Sequence, residues 1–401
     1  MLTRQFFLLV LLLLTGCQNK DEKPQAAGNY GYDLDFLRKY DPSTIELTNK
    51  TGESRVILSA KYQGRVMTST SAGETGNSYG WINYDLIASG RYKSQFNPVG
   101  GEERFWLGPE GGQFALYFAP GDSFKISKWQ VPPVIDTVSF DVAEQTDTSA
   151  VFEKTATVRN YSGTIFDLKI TRRIELYNQD DIEALLEFPL PEGLRSVAYR
   201  TINTITNTGE VQWQKETGLI SIWLLGMFTP TPSTIVVVPF AEHGQYRVTS
   251  DYFGEIPGDR LEISERMVLF RCDGKFRSKI GIPPDGAWEY AASYDATKKI
   301  LTVIQFDVDT SGDYVNSKWE IQEMPYNGDV FNSYNDGPLA DGTQLGPFYE
   351  LESSSAAKAL QPGETQHHSQ TTIHLEGDEE SLGNVTIALF GWALADLTIN
   401  K

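Results

Sequence analysis

Glu350 and Glu352, in the run Gly346-Pro-Phe-Tyr-Glu-Leu-Glu-Ser353, stand two residues apart. On a strand that spacing puts both carboxylates on one face, ~7 Å apart at ~3.3 Å rise per residue. Carboxylates so placed repel each other, which raises the proton affinity of one and suits general acid–base chemistry. A second polar face follows in Thr365–Leu375: Thr371, Ile373 and Leu375 take the core parity, and His368, Gln370, Thr372 and His374 the other. If the two strands are neighbours, Glu350, Glu352, His368 and His374 form one acid–base surface. The plainer alternative is a pair of solvated strand faces. His368 and His374 would be ~20 Å apart on a strand, too far for one metal ion, so no metal site is expected.

Further candidates surround this pair. Gly100–Gln113 combines Arg104, Trp106, Glu110 and Gln113 with loop-forming glycines. An arginine and a tryptophan beside a polar cleft can bind hydroxyls and stack a pyranose; the alternative is a glycine-rich hairpin around a core tryptophan. Asn332, Asn335 and Asp336 bracket a turn, Lys279 lies in a short polar run, and His243 follows an apolar strand ending at Phe240. The last could serve as a general acid reaching over a cleft, or be an ordinary loop histidine. The glycines fit no phosphate loop, and no Gly-x-Ser-x-Gly, dinucleotide fingerprint or His-Glu-x-x-His occurs, so no cofactor is expected.

Composition narrows the partner. A net charge of −19 without a basic patch argues against nucleic acid and anionic lipid. Eight Trp and nineteen Tyr suit a glycan binder, because sugar C–H faces stack on aromatic rings, although aromatics also favour strands. Only Cys17 and Cys272 are present. With Cys17 modified, Cys272 has no partner and reads as structural.

The elements that must position these groups are mostly strands. Phe166–Leu176 alternates with period two, as do Ile300–Val308, Trp319–Ile321 and Val385–Leu389. Turn signals separate the runs at Asn207-Thr-Gly209, Asp273-Gly274, Asn335-Asp-Gly337 and Pro362-Gly363. Short helices are expected at Asp33–Tyr40 and Tyr84–Ser89. The result is an all-β, mainly antiparallel domain over residues 30–401, with an alternative boundary near 140–150.

The N-terminus supplies an address. Arg4, the apolar run Phe6–Leu14 and Thr15-Gly16 before Cys17 have the layout of a secretory signal, residues 1–16. The apolar run is shorter than the ~20 residues a bilayer span needs. Leu14-Thr-Gly-Cys17 resembles a bacterial lipobox, which implies lipidation of Cys17 and a flexible tether over residues 17–29. Lys20-Asp-Glu22 resembles the acidic signal that directs some lipoproteins to the outer face of the outer membrane. The expectation is a protein lipid-anchored to the outer membrane, with surface exposure slightly favoured.

Arg104-Phe-Trp-Leu-Gly-Pro-Glu110, Lys279-Ile-Gly281, Asn332-Ser-Tyr-Asn-Asp-Gly337, Tyr349-Glu-Leu-Glu352 and Leu360-Gln-Pro-Gly-Glu364 together resemble an uncharacterised family of bacterial lipoproteins. That family is similar to the galactose-mutarotase-like superfamily. The resemblance implies a large antiparallel β-supersandwich, a sugar ligand, Glu350 or Glu352 as base, and His368, His374 or His243 as acid. The chain departs from true mutarotases in lacking their His-Pro-Tyr-Phe-Asn-type segment. Three functions stay open: an envelope-anchored sugar enzyme (mutarotase, epimerase, glycosidase or lyase), a non-catalytic sugar-binding lipoprotein, and a structural or adhesive protein.

Overall fold

A computed structural model describes residues 26–242, 244, 247–339 and 341–399. The signal segment, Cys17 and His243 lie outside these described residues. Strands β1 (Ile45–Thr48), β2 (Arg55–Ser59) and β3 (Arg65–Thr70) come first. They are followed by β4 (Arg104–Gly108), β5 (Asp141–Gln145), β6 (Ser149–Arg159), β7 (Ile165–Tyr177), β8 (Arg195–Asn207), β9 (Ser221–Phe228) and β10 (Thr234–Pro239). The remainder are β11 (Leu261–Ile263), β12 (Met267–Arg271), β13 (Ser278–Ile282), β14 (Tyr290–Asp295), β15 (Ile300–Phe306), β16 (Phe331–Asn335), β17 (Tyr349–Ser354) and β18 (Thr365–Glu376). Helices α1 (Tyr30–Tyr40), α2 (Tyr84–Ser89), α3 (Gln179–Leu186) and α4 (Glu379–Phe390) complete the frame.

Three antiparallel sheets result. The ten-stranded sheet runs β11-β12-β10-β14-β15-β18-β8-β7-β6-β5, the five-stranded sheet β13-β16-β17-β9-β4, and β1-β2-β3 form a third. The apolar parity of β7 (Phe166, Leu168, Ile170) packs with Phe105, Leu107, Ile222 and Leu224 of the five-stranded sheet. Phe306, Ile304, Ile280, Phe331 and Leu351 continue that layer. On its outer face the large sheet carries α3 and α4, through Ile182, Leu186, Leu382 and Val385 against Val303, Ile373 and Leu375.

Two expected strands are absent. Val385–Leu389 lies in α4, where Asp378 caps the N-terminus by accepting from Ser381 N at 2.9 Å and Gly391 ends the helix at φ 73°. Leu382, Val385 and Thr386 recur at helical spacing and are buried, so tertiary packing overrides the β preference of Val385 and Ile387. Trp319–Ile321 is loop, held by the docking of residues 309–329 on the edge of the small sheet.

Strands β17 and β18 are not neighbours. The first pairs with β16 and β9, the second with β15 and β8. Both faces of β18 are covered from Gln370 onward: Ile373 and Leu375 face the helices, while His368, Gln370 and His374 enter the layer between the two large sheets. There Ser353 Oγ lies 2.7 Å from His368 Nε2, and His374 Nε2 lies 2.7 Å from Glu102 Oε1 and stacks on Tyr79. Burial pulls His368 down to about 4. These two histidines hold the sandwich together and do not join Glu350 and Glu352.

The same layer holds the fully buried pair Arg172–Glu103, Nη2 to Oε1 3.0 Å, braced by Gln370 Nε2 donating to Glu103 Oε2 at 3.2 Å. Burial lowers Arg172 and raises Glu103, and each partner opposes that on the other. Removing one partner leaves an uncompensated buried charge, so Glu103→Ala should lower the urea-unfolding free energy by about 3–5 kcal/mol. A loss below about 1 kcal/mol would mean that Arg172 is solvated in the variant.

Candidate functional site

The side chains of Arg104 and Trp106 (β4), Trp223, Leu225 and Met227 (β9), Glu350 and Glu352 (β17), Asn332 and Tyr334 (β16) and Lys279 and Gly281 (β13) share one parity of the five-stranded sheet. They occupy the face turned away from the ten-stranded sheet. Directly opposed residues form cross-strand rows. One row runs Arg104, Leu225, Glu352, Asn332, Gly281, and the next Met227, Glu350, Tyr334, Lys279.

Both carboxylates are buried, Glu350 at 4% and Glu352 at 1% exposure, and each has its own cation. Arg104 Nη2 donates to Glu350 Oε1 at 2.7 Å. Lys279 Nζ donates to Glu352 Oε2 at 2.8 Å, and Trp223 Nε1 donates to the same oxygen at 3.0 Å. Glu352 Oε1 has no hydrogen-bond partner among the described residues, and neither has Arg104 Nε. Burial raises the Glu350 carboxyl to about 8, against the pull of Arg104 and with the help of Glu352. Burial also draws Lys279 down, but Glu352 and Glu110 more than offset it and the ammonium ends raised.

Three loops wall this face. The first brings Glu110, whose carboxyl is raised by burial and drawn down by Lys279 and the Trp319 indole. Its turn packs closely enough on the third loop that a Cβ at Gly111 would lie 2.3 Å from the Lys318 carbonyl oxygen. Gln113 ties the same two loops, with Nε2 to Gln322 O at 2.9 Å and Gln322 N to Oε1 at 3.0 Å. A second loop lays Tyr252 beside Lys279, 5.5 Å from ring centroid to Nζ. The Tyr252 hydroxyl donates to Asp329 and accepts from Asn332 Nδ2. Asp329 sits directly over Gly281, where a Cβ would lie 2.1 Å from its Oδ2, and burial raises its carboxyl. Aromatic rings complete the wall: the Arg104 guanidinium lies 4.2 Å from the Trp106 ring centroid, Trp106 meets Trp223 edge-on, and Trp129 stacks on Trp319.

Of the expected residues, Arg104, Trp106, Glu110, Lys279, Asn332, Glu350 and Glu352 therefore converge. The rest do not. Asn335 has the opposite parity and closes the preceding turn, accepting from Gly274 N at 2.8 Å and donating to Phe276 O at 2.8 Å. Asp336 lies past the end of β16 and accepts from Tyr334 OH at 2.7 Å and Gly346 N at 3.0 Å. Gln113 is a loop brace, and His368 and His374 lie behind the sheet. Trp223, Tyr252, Asp329 and Trp319 were not singled out as site residues. Trp223 is hidden in an apolar run, and Asp329 reaches the site only because Gly281 leaves room for it. Among the described residues no three His, Cys, Asp or Glu converge as metal ligands.

This arrangement, a small antiparallel sheet backed by a large one, is the galactose-mutarotase-like supersandwich fold. An Escherichia coli K12 protein described as a candidate aldose 1-epimerase superposes with a TM-score of 0.50 at 10% identity, over 83% of this chain and 99% of that one. A galactose mutarotase related enzyme from Lactobacillus acidophilus gives 0.47 at 9% identity, covering 83% and 97%. An aldose epimerase homologue from C. elegans gives 0.46 at 10% identity, covering 84% and 99%. The chain belongs to a family of unknown function, DUF6786, whose model matches residues 28–400. No curated protein matches it in sequence.

The raised Glu350 carboxyl has a consequence for stability. In the unfolded chain it titrates near its ordinary 4.5; in the fold it keeps its proton to about 8. Between those values the unfolded state binds fewer protons, so this group lowers stability as pH rises through the window. Glu350→Gln should flatten the fall in Tm between pH 5 and 8, and an unchanged slope would place the titration elsewhere.

Proposed function

We propose that the protein is a carbohydrate-active lipoprotein of the cell envelope, acting on a sugar by carboxyl acid–base chemistry at the Glu350/Glu352 face. The observation that carries this reading is the buried carboxyl pair on one sheet face, each member held by its own cation inside a wall of tryptophans. A buried carboxyl of raised proton affinity close to a second carboxyl is a candidate acid–base pair.

In this reading the free Oε1 of Glu352 takes the proton of the anomeric hydroxyl. Glu350, neutral at pH 7, delivers one to the ring oxygen, and the ring opens. Recombination on the other face of the carbonyl carbon returns both protons. Arg104, Lys279 and Asn332 orient hydroxyls, and the tryptophans receive the sugar's C–H face. The acid in this reading is a carboxyl, since none of the three described histidines, His367, His368 and His374, reaches this face. That no histidine joins the pair among the described residues supports a second reading, a sugar-binding lipoprotein without turnover.

Exchange between anomers, followed by NMR on the fragment from residue 28 onward, tests both readings. Glu352→Gln should slow the exchange by about 10²–10⁴-fold with the fold intact. Sugar binding without accelerated exchange in the unaltered protein would select the binder, and absence of binding across neutral and acidic sugars would reject both. The envelope address rests on the Leu14-Thr-Gly-Cys17 segment. Cys17→Ser should abolish incorporation of labelled fatty acid and release the protein from membranes; retained label would refute lipidation there.

A further inference from the structure

Arg277 precedes β13 by one residue and lies on the same side of the backbone as Lys279 and Gly281, so its Cα is ~7 Å from that of Lys279. Its guanidinium rests 3.8 Å from the centroid of the Phe253 ring, which is itself 44% exposed. Its one hydrogen bond among the described residues runs from Nε to Tyr334 OH, at 3.2 Å. That hydroxyl is fixed in turn by donating to Asp336. Stacking sets the plane of the guanidinium and the Nε contact sets its rotation, while the outer edge, Nη1 and Nη2, has no partner among the described residues.

The other two cations of the site differ. Arg104 is committed to Glu350 and Lys279 to Glu352, both in buried pairs. Arg277 alone of the three offers an uncommitted, oriented pair of N–H donors, and a guanidinium edge matches the two oxygens of a carboxylate, phosphate or sulfate. Tyr334, which holds it, stands directly between Lys279 and Glu350 in the cross-strand row. Arg277 thus stands one cross-strand row, ~7 Å, along the same face from the Lys279–Tyr334–Glu350 row. The chain's net charge of −19 repels anions at long range, so capture of one here needs a local, directional contact.

We infer that Arg277 is an anion subsite of the proposed sugar site, and that the substrate is a sugar carrying an acidic substituent, bound through two oxygens at the guanidinium edge. The inference rests on the sugar reading above and narrows it.

Calorimetric titration of the fragment from residue 28 onward separates the two claims. Galactose and glucose would be compared with their uronates, 6-phosphates and 6-sulfates, in the unaltered protein and in Arg277→Gln and Arg277→Lys. One acidic class should bind about tenfold or more tighter than its neutral parent, and which class does so identifies the substituent. Arg277→Gln should bring that ratio close to one, and Arg277→Lys should restore part of it, keeping charge but losing the fork. Equal affinity for neutral and acidic sugars, or an unchanged ratio in Arg277→Gln, overturns the inference and leaves the sugar reading standing. Failure of every sugar to bind removes both.

Discussion

Burying two carboxylates on one strand face is costly unless each finds a partner, and the small sheet is arranged around that requirement. Glu350 and Glu352 lie on β17, the central strand of five, while Arg104 and Lys279 come from the two edge strands, β4 and β13. Each cation reaches inward across two strand spacings, ~10 Å of sheet. The indole of Trp223 adds a donor from the strand between. Both carboxyls are thus hydrogen-bonded across the sheet, and the register of all five strands becomes a condition for the site. A slip by one residue would turn every one of these side chains to the other face.

The large sheet supplies the rigidity behind that face. Its inner surface is partly polar, yet its charges and histidines are buried and largely bonded across the layer, as in Arg172–Glu103, His374–Glu102 and His368–Ser353. A ligand face held on strands and backed by a packed layer keeps its geometry better than one built on loops alone. The loops contribute what strands cannot: Glu110, Asp329 and Tyr252 descend onto the face from its rim, fastened by amide contacts between Gln113 and Gln322 and by the exposed Lys318–Asp251 pair.

Much of the fold was legible because alternation of apolar and polar residues survives wherever one strand face is solvated, as in β7. It failed where that condition failed. In β18 the parity that carries His368, Gln370 and His374 is buried, and from Gln370 onward so is the other, so its polar parity read as a ligand surface when it is an internal bonding layer. In α4 the β-branched residues concealed a helix whose signals were the Asp378 cap and Gly391. The pairing of Glu350 and Glu352 on one face followed from spacing alone. Their cations could be named as candidates, but only tertiary structure shows which cation serves which carboxylate. Asp329, Tyr252 and Arg277 depend on loop docking or on a strand-edge position, for which local sequence carries little signal.

The central claim is that the face bearing Glu350 and Glu352 holds a sugar, and the most direct test is a crystal structure of the protein soaked with the tightest-binding sugar from the titration. The account predicts a pyranose lying over β17 between Arg104 and Lys279, its anomeric oxygen within hydrogen-bond distance of Glu352 Oε1. A sugar bound elsewhere on the molecule, with this face unchanged, would contradict it.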